Sequence, residues 1–100
     1  MLLERQVFQA KYGRGDELVA LFQELNAQMG EGDETTPRFR IFTDATGPFF
    51  TVVTEVEVES LATWEQAFVE AMAQPEMSEW FSRMMPLVES GSREFYNLVE

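Results

Sequence analysis

The feature that most constrains this chain is the run from Phe49 to Val58, where two sets of side chains alternate residue by residue. Phe50, Val52, Thr54, Val56 and Val58 fall on one side of a strand with this pattern, and Phe49, Thr51, Val53, Glu55 and Glu57 on the other. A shorter run from Arg38 to Thr43 precedes it, and the connection Asp44-Ala45-Thr46-Gly47-Pro48 is rich in turn formers, so the pair reads as a β-hairpin. In the shorter run Phe39 and Ile41 alternate with Arg38, Arg40 and Phe42. One face of the hairpin is therefore apolar enough for a core, while the other mixes aromatic groups with arginine and glutamate.

Around the hairpin the periodicities change. Leu2 to Ala10, bounded by Gly13 and Gly15, reads as a first strand. Asp16 stands at an N-cap position, followed at helical spacing by Leu18, Leu21, Phe22, Leu25 and Met29 and ended by Gly30 and Gly32. The polar stretch 31–37 reads as a loop. Ser60 caps a second helix carrying Leu61, Trp64, Phe68 and Met72. Pro75 interrupts it and restarts a segment with Met77, Trp80, Phe81 and Met84. Pro86 and Ser90-Gly91-Ser92 are read as the end of the helical region, and Arg93 to Val99 as a fourth strand. The expected fold is α+β, one domain over 1–100 in the order β-α-β-β-α-β, with a four-stranded antiparallel sheet of the ferredoxin-like type.

Composition narrows the chemistry. With 45% hydrophobic and 25% charged residues, the chain has the content of a globular protein, so disorder is not expected. Eighteen acidic against seven basic residues give a net charge of −11, which disfavours nucleic acid and anionic membrane surfaces as partners. No apolar run is long enough to span a bilayer and the first residues lack a signal-peptide pattern, so the expected location is the cytoplasm. The sequence holds no cysteine and no histidine. That removes thiolate chemistry, Cys-type zinc sites, the commonest general base and the usual haem ligand. Neither a metal nor a cofactor is expected.

If both helices cover one face of the sheet, the other face needs cover of its own. A face bearing Phe42, Phe49 and Val53 with charged groups is too apolar for open solvent and too charged for a monomer core. Pairing two such faces in a homodimer would bury the aromatics and require the charges to pair, as Arg40 with Glu55. An exposed face with ordinary surface ion pairs is the alternative.

Three segments carry a family resemblance. Lys11-Tyr12-Gly13-Arg14-Gly15-Asp16-Glu17-Leu18 is similar to a strand-to-helix turn, Gly47-Pro48-Phe49-Phe50 to the approach to the third strand, and Met85 to Phe95 to the helix exit and last strand. With the element order, they make the chain resemble the dimeric α/β-barrel superfamily, within it the NIPSNAP-like and antibiotic-biosynthesis-monooxygenase-like small proteins. The resemblance implies a dimeric barrel and, among the activities of that superfamily, a cofactor-independent monooxygenase or isomerase acting on an aromatic or polyketide-like compound. A non-catalytic carrier and a purely structural dimerisation module are the alternatives, because a fold does not settle a function.

The candidate site is a cavity between the sheet and the second helix that draws on the amphipathic sheet face. Glu55 as general base, Arg40 as anion-holding group and Tyr96 as orienting hydroxyl form the candidate catalytic set, and Phe42, Phe49, Thr51, Val53, Trp64 and Trp80 the candidate lining for a small aromatic ligand. Each has a plain structural reading beside it: Glu55 as cross-strand partner of an arginine, the tryptophans as core residues with their indole N–H on a backbone carbonyl, Tyr96 as a strand residue at the rim. Arg14-Gly15-Asp16 spells an adhesion tripeptide but is better read as a helix start. Glu31, Asp33 and Glu34 lack the regular spacing of a calcium loop.

Overall fold

The computed structural model of this chain describes residues 1–30 and 38–99. Leu2–Ala10 forms β1, Gly15–Gly30 α1, Arg40–Thr43 β2, Thr51–Val58 β3, Leu61–Met72 α2 and Pro75–Met84 α3. A 3-10 turn, Met85–Leu87, then leads into β4, Val88–Asn97. The strands make one antiparallel sheet in the order β2-β3-β1-β4. The hairpin β2–β3 thus lies beside β1, and β4 returns to the far side of β1. The acidic stretch Glu31, Asp33 and Glu34 lies outside the described residues.

Strand register fixes which side chains share a face. Phe8 stands opposite Val52, Gln6 opposite Thr54 and Glu4 opposite Val56, with Phe95, Arg93 and Gly91 continuing those rows on β4. This is the helix-covered face. Its core joins Ala10 and Val52 of the sheet to Leu18, Leu21, Phe22 and Leu25 of α1, Trp80 of α3 and Leu87. Phe22 is the hub, with Phe8, Phe39 and Trp80 rings at 5.3, 6.1 and 5.1 Å. Asn26 of α1 clamps the start of the hairpin by donating to the Phe39 carbonyl at 2.9 Å and accepting from its N–H at 2.8 Å.

The helix boundaries have local causes. Ser60 accepts a hydrogen bond from Thr63 N at 3.1 Å and so caps α2, and Pro75 opens α3 at a first-turn position. At the start of α1, Gly15 lies so close to Phe50 that an added Cβ would meet its ring at 3.2 Å. Arg14 is turned back to Glu17 at 2.7 Å, so the Arg14-Gly15-Asp16 tripeptide serves the helix start. Phe50 itself has φ 60°, a conformation side chains rarely adopt, and its carbonyl accepts from Ala10 N.

Several boundaries differ from the sequence reading: α1 begins at Gly15 with Asp16 in its first turn, β2 begins at Arg40 and not Arg38, and β4 ends at Asn97 and not Val99. Two further differences bear on the site. Ser90-Gly91-Ser92 is strand, not turn: β4 begins at Val88, and Ser90 and Gly91 pair with Gln9 and Phe8. Their turn preference is local and is overridden by pairing along the whole of β1. Phe49 and Phe50 belong to the turn, and β3 begins at Thr51, where Asp44 accepts from Thr51 N at 3.1 Å. Among the described residues no helix is long and apolar enough to cross a membrane.

Candidate functional site on the helix side of the sheet

The two helical layers cover the sheet unequally. α1 and α3 seal the end around Phe8 and Val52, whereas α2 buries none of its residues and shelters the other end mainly through half-buried Trp64. Under α2 the inward-facing residues of β1 are polar. Glu4 is 3% exposed and Oε2 of its carboxyl has no hydrogen-bond partner. Gln6 and buried Thr54 stand next to it in the rows.

Aromatic side chains wall this polar end. Trp64 stacks on Phe68 at 5.1 Å with 18° between the rings and meets the edge of Phe95 at 5.1 Å. Arg93 lies over the Trp64 ring, 4.5 Å from its centroid. Burial raises the proton affinity of the Glu4 carboxyl above its ordinary value, and the Arg93 charge and a hydrogen bond from the Trp64 indole only partly offset that push. A shielded carboxyl with a free oxygen and a raised proton affinity can accept a proton from a bound molecule and return it.

Beside this corner an open groove of about 340 Å³ runs along β1 and β4, lined chiefly by Gln6, Phe8, Met84, Val88, Gly91 and Arg93; of the corner it shares Gln6 and Arg93, not Glu4 or Trp64. Its floor depends on Gly91. A Cβ there would meet Phe8 Cδ1 at 3.2 Å. A second hollow of about 330 Å³ lies between α1 and α3, but its arginine, Arg83, is held by both oxygens of Glu24 at 2.9 Å. That leaves it without a free polar group of the kind Glu4 supplies.

The expected site residues divide across the sheet. Arg40, Phe42, Thr51, Val53, Glu55 and Tyr96 share the face away from the helices. There Arg40 binds Glu55 at 2.9 Å and Arg5 approaches the same carboxylate at 4.0 Å. Phe49 is in the turn before β3, exposed and edge-on to Tyr12. Trp64 is on the opposite, helix side. Trp80 is also there but is 4% exposed, with its indole N–H donating to the Leu21 carbonyl at 2.9 Å. One cavity lined by all of these residues is therefore not formed, because alternation sends neighbouring side chains through opposite faces of the sheet. Trp80 in particular is a core residue, committed to α1.

Glu4, Gln6 and Arg93 were not singled out in the sequence, although a signal exists. Leu2, Glu4, Gln6, Phe8 and Ala10 form one face of β1, so the helix-side stripe passes through a carboxylate and an amide. Charged groups seldom occupy such a stripe without a function or a partner.

The state of Glu4 yields a stability prediction. Because its folded-state proton affinity is raised, its contribution is fully present below the unfolded-state pKa and is lost as pH rises through the folded-state value. Glu4→Gln is therefore expected to stabilise the protein at pH 7.5, because the amide carries no charge to be desolvated. The gain should shrink as pH falls into the ordinary carboxylate range. Urea unfolding of both proteins across that interval measures it.

The element order, the strand order and the placement of the helices on one face define a ferredoxin-like α+β protein. Solved structures with this arrangement include an uncharacterized NIPSNAP domain protein from Burkholderia xenovorans, with TM-score 0.82 and 18% identity over 99% of this chain and 95% of that one. A NIPSNAP family protein from Agrobacterium tumefaciens matches with TM-score 0.81 and 15% identity over 99% and 93%. A provisionally named antibiotic biosynthesis monooxygenase from Nitrosomonas europaea matches with TM-score 0.75 and 15% identity over the full length of both chains. No family model matches the sequence, and no curated protein does. At these identities the likeness is one of fold.

Proposed function

We propose that this protein is a homodimer that binds a small, largely apolar organic molecule on the helix side of each sheet, with Glu4 as its proton-handling group. The observation that carries this reading is the buried Glu4 carboxyl with an unpartnered oxygen, set among Trp64, Phe95 and Arg93 beside an open groove. Its natural chemistry is removal of a proton from a phenol or from carbon next to a carbonyl. That step begins both an isomerisation, in which the proton returns at another carbon, and a cofactor-independent oxygenation, in which the resulting carbanion passes electrons to dioxygen. The name of the Nitrosomonas neighbour is in keeping with the second.

In this reading the opposite face is the assembly surface. Leu3, Val7, Val53, Phe42 and Tyr96 lie among Arg5, Arg40 and Glu55 there, so the face offers both apolar area and charges of both signs to a second copy of itself. Glu55, already held by Arg40 and Arg5, orders that surface.

Oxygen-dependent turnover of anthrone-type and quinol-type compounds, followed by absorbance, tests the catalytic part. Glu4→Gln is expected to lower the rate by about 100-fold or more, in the range that general bases contribute. Glu55→Gln should leave it within a few-fold. Loss of turnover in Glu55→Gln with an unchanged rate in Glu4→Gln would return the chemistry to the open face.

A further inference from the structure

Arg93 is unusual in its surroundings. The chain has 18 acidic residues for seven basic ones, and Arg5, Arg14, Arg40 and Arg83 each have a glutamate within 4.0 Å. Among the described residues Arg93 has none, as is true of Lys11 and Arg38, but Arg93 is set among rings: Trp64 at 4.5 Å, Phe95 at 5.9 Å and Phe68 at 6.0 Å. A guanidinium stacked on an indole keeps the N–H donors at its edge free, and those donors match the two oxygens of a carboxylate. The same residue lines the groove whose other walls are Phe8, Met84 and Val88.

We propose that the groove takes a planar or aliphatic carboxylic acid, its carboxylate on Arg93 and its apolar body lying over Gly91 between Phe8, Met84 and Val88. This inference rests on the helix-side binding reading and adds the charge of the ligand and the residue that selects it. Glu4 does not compete for the role. It feels the Arg93 charge but lies beyond ion-pair distance, and the Arg93 guanidinium is set against rings instead. Arg93 therefore keeps its charge for an incoming anion. In a protein of net charge −11 the long-range field opposes anions, so recognition must be local, and a cation on the aromatic wall of the groove supplies it.

Isothermal titration of the full chain with 2-naphthoate and with its uncharged counterpart 2-naphthalenemethanol tests this. The wild type is expected to bind the acid at least 10-fold more tightly than the alcohol. Arg93→Gln should weaken the acid by about 10- to 100-fold, the range of a charge-assisted pair, and leave the alcohol unchanged, so that the preference disappears. Arg14→Gln, which removes the same charge from the far helix start, should keep it. Equal binding of acid and alcohol by the wild type, or an Arg93→Gln variant that retains the preference, overturns the carboxylate inference and leaves the groove standing. Gly91→Leu and Met84→Trp fill the groove from opposite walls, so a strand defect in the first does not spoil the test. If either folded variant binds both probes as the wild type does, or if the wild type binds neither at millimolar concentration, the groove reading falls with it.

Discussion

Val53→Arg is expected to leave this protein monomeric at micromolar concentration, where the wild type should run as a species of twice the 11.5 kDa chain mass. Val53 sits mid-sheet on the open face, opposite Phe42 on one side and Val7 on the other. A two-fold assembly repeats every change, so one substitution places two unpaired guanidinium groups in the apolar centre of the interface. Burying unpaired charge and bringing like charges together costs several kcal/mol, enough to weaken association by 100-fold or more. The Val53 side chain is not part of the helix-side core, so the monomer should keep its fold and its far-ultraviolet spectrum. Multi-angle light scattering with circular dichroism separates the outcomes. A dimer that survives the substitution, or a wild type that is already monomeric, would remove the open face as the assembly surface.

The two tryptophans should respond in opposite ways. Trp80→Ala is expected to destabilise the fold by about 3–5 kcal/mol, the usual cost of deleting a large aromatic side chain from a packed core. Its ring packs on Phe22 and Phe81 at 5.1 and 5.2 Å, and its indole N–H is tied to α1 through Leu21. Trp64 is half buried on a helix with no buried residue, and its ring faces Arg93 and Phe95. Trp64→Ala is expected to cost only about 1 kcal/mol in stability, as its partial burial dictates, while weakening binding of the carboxylate probe by freeing Arg93 from its ring. Urea denaturation and probe titration on both variants decide it. Comparable stability losses would mean that α2 is a full member of the core.

The fold was legible because its signals are local and repetitive. Alternation in β3 sorted Val52, Thr54 and Val56 from Thr51, Val53 and Glu55, and register places those two sets on opposite faces of the sheet as that pattern requires. Helical spacing did the same for Leu18, Leu21, Phe22 and Leu25. Where a segment's structure is set by its neighbours, local reading failed. Ser90-Gly91-Ser92 has turn formers, yet its place beside β1 makes it strand and makes Gly91 the floor of a groove.

The candidate site was less legible, for a related reason. The open face attracted the functional reading because its charges and aromatics are conspicuous in the alternation of β2 and β3. Periodicity in β1 contained the other clue, since Glu4 shares a stripe with Phe8 and Ala10, but Leu2, Leu3 and Val7 make that strand's pattern ambiguous. Which end of the helix-side face lies under α2 depends on how far the helix stands from the sheet, a tertiary quantity. So does the relation of Trp64 to Arg93, residues far apart in sequence that meet only once β4 returns beside β1.

The central claim, that ligand binds on the helix side of the sheet in the groove that runs from Arg93 to Gly91, is tested most directly by nitrogen-15 NMR of the wild type titrated with 2-naphthoate. The chain has two indole N–H groups, one at the proposed site and one in the core. The expected result is a saturable shift of the Trp64 indole signal and of the Gly91 amide, with the Trp80 indole unmoved and the Val53 and Glu55 amides of the open face undisturbed. A titration that shifts Val53, Glu55 and their β2 neighbours while leaving Trp64 and Gly91 in place would contradict it.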